Sequence, residues 1–221
     1  MFIGHFAPAL VAAAHPRTAG LGTLFVAAQL VDIGFAALLI PGIGAMRIVP
    51  GISAMNPMDL YHMPYTHSLL GSLLWAAGFG ALVWLATRRR AAAIGAALVV
   101  MSHWFVDLLV HIPDLTLFGA PPKFGFGLWD HPAIAMPLEI ALIGGALVYY
   151  ARNTRAPAGD RRLWVLAGLL ALAQAIDWFG PKQPAYSIAI PATMLIAYAL
   201  LAGTAAWASA RRQPLPSGAP A

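Results

Sequence analysis

Six apolar runs limit what this chain can fold into. They fall at about 20–41, 66–87, 91–112, 131–151, 163–180 and 185–208, and each approaches or exceeds the roughly 20 residues needed for one helical crossing of a bilayer. A water-soluble core could not absorb that much apolar surface. Of the 221 residues, 60% are hydrophobic and only 10% are charged, against about 25% charged in an average soluble domain. A shorter run, Phe2 to Ala14, is too brief to cross alone. It lacks a basic leader and runs into "HPRTAG", so it reads as a partial-span helix and not as a cleaved signal. The expectation is an all-α polytopic membrane protein. It has about six transmembrane helices plus a short partial-span N-terminal helix, in a single domain over 1–210.

The basic residues sort by side in that model. Arg17, Arg88, Arg89, Arg90, Arg152, Arg155, Arg161, Arg162, Arg211 and Arg212 fall at one end of the spans, and Arg47, Lys123 and Lys182 at the other. An excess of arginine marks the cytoplasmic side, so an inner membrane of bacterial type with a cytoplasmic C-terminus is expected. Residues 211–221, rich in Pro, Ser and Gly, read as a disordered tail. Arginines confined to loops between spans are no nucleic-acid footprint, despite a net charge of +5. The long loops at about 42–65 and 113–130 face outward, and loops of that length are commonly functional or docked on the membrane surface. The short "GIG" at Gly42–Gly44 follows no strand and carries no phosphate-binding argument.

Against this apolar background the ionisable residues stand out. In "SHWFVDLLVHIPDL", His103, Asp107 and His111 are spaced i, i+4, i+8 and form one stripe on a helix, and Pro113 ends that helix. Counting 1.5 Å of rise per residue from the arginine clusters puts five segments at a common height. His5, Asp32, His103, Glu139 and Asp177 lie roughly 18–22 Å above them, with Asp107 at about 26 Å. An unpaired charge at mid-bilayer costs at least about 2.5–3.5 kcal/mol, so clustering is cheaper than scatter. His62 and His67, in "DLYHMPYTHSLLGS", approach the same layer from the outer rim, with Thr66 as an N-cap for a helix opening at His67.

The chemistry open to such a layer is restricted. Cysteine is absent, so a metal would have to be held by imidazole and carboxylate. A His and an Asp one turn apart can face one cation, which compensates the buried negative charge. His103 and Asp107 are the strongest pair. His5 taken alone suits a helix–helix hydrogen bond, and His111 stays open between a ligand and a rim residue. Glu139 is open to service as a ligand, an ion-pair partner or a general base. Asp177 reads as interfacial, His131 and Asp130 as loop-end caps, and His15 has no assigned role.

Taken together, "GHFAPAL", "QLVDIGF", "HMPYTHSLLGS" and "SHWFVDLL" resemble the YdjM-type membrane-bound metal-dependent hydrolases, a family related to zinc-dependent phospholipase C. The resemblance covers about residues 1–112, and Thr66-His67-Ser68 with His103-x-x-x-Asp107 is its most specific part. It implies metal roles for His5, Asp32, His67, His103 and Asp107, with His62 as an addition. It departs from the family pattern at Gly34, where a second Asp is expected. The function expected is metal-assisted hydrolysis, by one to three zinc ions, of a phosphoester in a lipid or lipid-linked substrate at the outer face. Asp107 and Glu139 are the catalytic candidates, Glu139 as an unligated base. The alternative is a transporter or channel for protons or divalent cations.

Overall fold

The computed structural model describes residues 1–215, and those residues are mostly helical. A 3₁₀ turn at Ile3–His5 leads into α1 (Phe6–Ala13), followed by α2 (Leu21–Ala28) and α3 (Leu30–Leu39). A hairpin, β1 (Ala45–Ile48) and β2 (Met58–His62), precedes α4 (Leu69–Thr87) and α5 (Arg90–Val110). A second small hairpin, β3 (Leu115–Thr116) and β4 (Lys123–Phe124), leads to α6 (Pro132–Arg152). Then come β5 (Thr154–Arg155), α7 (Arg162–Phe179), α8 (Ala189–Ser209) and β6 (Gln213–Pro214).

Five of these helices, α4 to α8, are long and apolar enough to cross a membrane, and their composition makes this an integral membrane protein. The first expected span is broken. α2 and α3 meet at 54° around Gln29, whose backbone leaves the helical region. The expectation of helices alone also needs amendment, because three short antiparallel ribbons occur among the described residues, two of them in the long loops at about 42–65 and 113–130. Short ribbons let loop backbone satisfy its own hydrogen bonds where no helix continues.

Local chemistry sets the helix ends. Ser68, not Thr66, caps α4: its Oγ accepts from the Gly71 amide at 2.9 Å, and the helix opens at Leu69. Arg88 adopts the left-handed conformation, φ 55°, and closes α4 with its amide on the Trp84 carbonyl. α5 begins two residues later, so the two helices pack antiparallel. At the end of α5, the Phe126 and Gly127 amides donate to the carbonyls of Leu108 and His111 at 2.8 Å. Gly125 makes that crossing possible, because a Cβ there would lie 2.4 Å from the carbonyl oxygens of His111 and Ile112.

The short N-terminal helix is the centre of the bundle. Phe6 and Leu10 are fully buried with Leu24 and Phe25, and the Phe6 and Phe25 rings stack at 4.4 Å. By contrast Leu74, Leu98, Trp164 and Ile196 project outward from α4, α5, α7 and α8 with more than half their surface exposed, as a bilayer would demand. The arginine-rich ends meet one another: Arg89 donates to the Pro16 carbonyl at 2.9 Å, and Arg162 to that of Trp207 at 3.2 Å. The part of the C-terminal segment up to Leu215 is ordered. β6 pairs with β5, and Arg212 reaches Thr154 Oγ1 at 3.0 Å. The rest of the expected tail, 216–221, lies outside the described residues.

Candidate metal centre

Four imidazoles converge on one carboxylate. Asp107 Oδ1 lies 3.0 Å from His5 Nε2 and 3.3 Å from His111 Nε2. Its Oδ2 lies 3.0 Å from His103 Nε2 and 3.7 Å from His67 Nε2. Asp32 Oδ1 closes the group, 3.2 Å from His67 Nε2 and 3.6 Å from His103 Nε2. The His5 and His103 rings stack at 3.9 Å, nearly parallel. All of these side chains are buried except that of Asp32, which retains 18% exposure. The Met1 amino group also lies here, 3.5 Å from Asp107 Oδ1.

Each part of the fold contributes one piece. α5 supplies His103 and Asp107 one turn apart, and His111 follows as its C-cap, with its amide still bonded to the Asp107 carbonyl at 2.8 Å. The 3₁₀ turn before α1 brings His5, and α3 brings Asp32 in its first turn. His67 sits in the turn that Ser68 converts into α4.

Partners behind the rings orient them. His103 Nδ1 is 2.8 Å from the Ala28 carbonyl, which can only accept, so Nδ1 carries the proton. That carbonyl is available because the α2–α3 break removes its helical partner. His111 Nδ1 is 2.9 Å from Asp114 Oδ1, and His67 Nδ1 is 3.0 Å from Thr66 Oγ1. Three rings thus spend Nδ1 on a partner and turn Nε2 to the centre, the arrangement by which proteins orient metal-bound histidines.

With Nδ1–H committed, a neutral His103 presents a lone pair to a carboxylate oxygen at 3.0 Å. His5 Nε2, His103 Nε2 and Asp107 Oδ2 have no aligned hydrogen-bond partner among the described residues, although all are buried. Lone pairs that close repel unless a proton or a metal cation lies between them, and orphaned buried polar atoms are costly. Two groups are spaced to hold a metal ion: His5, His103 and Asp107, and Asp32, His67 and His103. The donor set is nitrogen and oxygen throughout, which suits zinc and other first-row ions.

Other candidates fall elsewhere. His62 is exposed on β2, outside both groups. Glu139 is buried beside the centre, but its Oε1 accepts the Phe2 and Gly4 amides at 2.7 and 2.9 Å and anchors the segment that carries His5. Asp177 accepts from Gln174 at 3.1 Å. Asp130 accepts from the Ala54 amide at 3.1 Å, and His131 holds the N-cap position of α6 without a side-chain bond. At Gly34 a Cβ would come within 2.8 Å of the Trp75 indole, so a side chain there would have to displace that ring.

Two residues that the sequence left undecided or unremarked gain a place. His111 turns inward, and Tyr198 of α8 donates to Asp32 Oδ2 at 2.9 Å. The i+8 stripe pointed to His111, but nothing in the sequence pointed to Tyr198. Compared with protein-family models, curated proteins and solved structures, the chain finds no match.

Proposed function

We propose that the protein is a membrane-embedded, zinc-dependent hydrolase acting on a phosphoester of a lipid or lipid-linked substrate. The observation that carries the reading is the convergence of four Nε2 atoms on the Asp107 carboxylate, with three of the four rings locked from behind. Asp107 faces imidazoles with both oxygens, His5 and His111 at Oδ1 and His67 and His103 at Oδ2, and Asp32 Oδ1 lies against the His67 and His103 Nε2 atoms. Zinc, when bound, supplies an acidified water and stabilises charge on phosphoryl oxygens. The residues hold that chemistry in place. Asp107 bridges the two halves, and Asp32, the most exposed of the group and steadied by Tyr198, stands where a substrate oxygen and its proton would meet the protein. The family resemblance implies the same chemistry, and the bilayer setting favours a substrate whose headgroup sits at the interface.

Metal analysis of protein purified in detergent without chelators tests this, paired with turnover of a short-chain phosphodiester lipid. One to two zinc ions per chain are expected. His103→Ala should lose at least one together with turnover, and His62→Ala should keep the wild-type content. A wild-type protein without stoichiometric metal would sink the proposal. Transport of protons or divalent cations is the second reading, supported by the broken α2–α3 span whose freed carbonyl faces the centre, since broken helices line ion sites in transporters. It predicts gradient-driven flux in liposomes and no turnover.

A further inference from the structure

At the arginine-rich end of the bundle, far along the spans from the metal centre, the turn before α7 and the last turn of α8 enclose a pocket of about 300 Å³. Arg161, Arg162 and Arg211 line it, with Asp160, Val165 and Trp207. These groups have unequal freedom. Arg162 is committed: it lies over the Trp207 ring at 4.8 Å and donates to the Trp207 carbonyl. The Asp160 carboxylate is turned into the fold, with Oδ1 on the Arg162 amide at 2.9 Å and Oδ2 shielded from solvent. Arg161 and Arg211 are exposed, and neither makes an ion pair among the described residues. The pocket therefore has a positive rim of two uncommitted guanidinium groups.

Its floor is apolar. Val165 and Trp207 are 46% and 45% exposed. Leu172, seven residues after Val165 on α7, and Leu200, seven residues before Trp207 on α8, lie on the same helix faces and are 57% and 58% exposed. A cationic rim thus continues into an apolar track directed into the bilayer. A soluble anion would use the rim and leave the track bare, whereas a phospholipid uses both.

We propose that this pocket binds an anionic phospholipid, its phosphate held between Arg161 and Arg211 and an acyl chain lying along Val165, Trp207, Leu172 and Leu200. Guanidinium groups recognise phosphate through paired N–H donors, and each basic side chain near a membrane surface adds about 1 kcal/mol of attraction for anionic lipid.

Native mass spectrometry of delipidated protein titrated with phosphatidylglycerol or phosphatidylcholine tests the assignment. Phosphatidylglycerol should be retained roughly tenfold better. The Arg161→Ala/Arg211→Ala double variant should bring its retention down to that of phosphatidylcholine, while Arg17→Ala, at a separate exposed position of the same end, leaves it unchanged. Folding of the double variant is checked by its zinc content, which should match wild type. Equal retention of the two lipids, a double variant that retains phosphatidylglycerol as wild type does, or displacement of the lipid by millimolar inorganic phosphate would each overturn the proposal.

Discussion

At the scale of single residues, the candidate metal centre depends as much on the groups behind the imidazoles as on the imidazoles themselves. Asp114 illustrates this. Among the described residues it pairs with no other member of the centre, yet its carboxylate takes His111 Nδ1–H at 2.9 Å and so orients which nitrogen His111 offers. Removing such a partner commonly costs about 10–100-fold in metal affinity. Asp114→Ala should weaken zinc binding by that factor, measured by competition with a chelator, while the protein stays folded. A variant with unchanged affinity would mean that His111 is not a ligand. Gly34 is the complementary case: Trp75 occupies the space a side chain there would need.

Among elements, the N-terminal segment is the most dependent on others. It is too short to cross a membrane and is held by side chains from distant parts of the chain. Glu139 takes the Phe2 and Gly4 amides, Gln174 takes that of Ile3 at 3.1 Å, and Gln29 donates to the Phe2 carbonyl at 3.2 Å. Leaving two buried amides without an acceptor costs about 1–3 kcal/mol each. Glu139→Ala should therefore speed hydrogen exchange across residues 2–13 and, on the proposed reading, lower the metal content of the centre, with exchange in α5 unaffected. Equal exchange in wild type and variant would remove Glu139 from its anchoring role.

For the whole molecule, the question is which ends share a side of the membrane. Arg89 on the Pro16 carbonyl ties the 15–18 turn to the α4–α5 turn. At the opposite end, Met55 and Ala54 meet Trp129 and Asp130, and Leu70 meets Leu117. If the bent α2–α3 pair is one broken span, it passes from one side to the other. Because the chain contains no cysteine, single cysteines report directly. Ala54→Cys and Ala120→Cys should react with an impermeant maleimide from one side, and His15→Cys and Ala158→Cys only from the other. Labelling of positions 15 and 54 from the same side would make α2–α3 a re-entrant loop.

Much of this was legible from the chain alone. Apolar run length determines where helices lie because bilayer thickness and rise per residue are constants, and the five long helices fall close to the expected spans. The i, i+4, i+8 stripe of His103, Asp107 and His111 is a local property of a helix, so its shared face was readable too. The depth estimate brought His5 and Asp32 to the right height for the same reason. Relations between segments could not be read in that way. His62 and His67 are five residues apart and chemically alike, yet one is exposed on a ribbon and the other buried against Asp32 and Asp107. Glu139 shares the depth of the centre, but the amides of Phe2 and Gly4 claim its Oε1. Tyr198 reaches Asp32 across 166 positions of sequence. Depth follows from counting along one helix, whereas azimuth and partner choice depend on how helices pack around one another, and only the tertiary structure decides that.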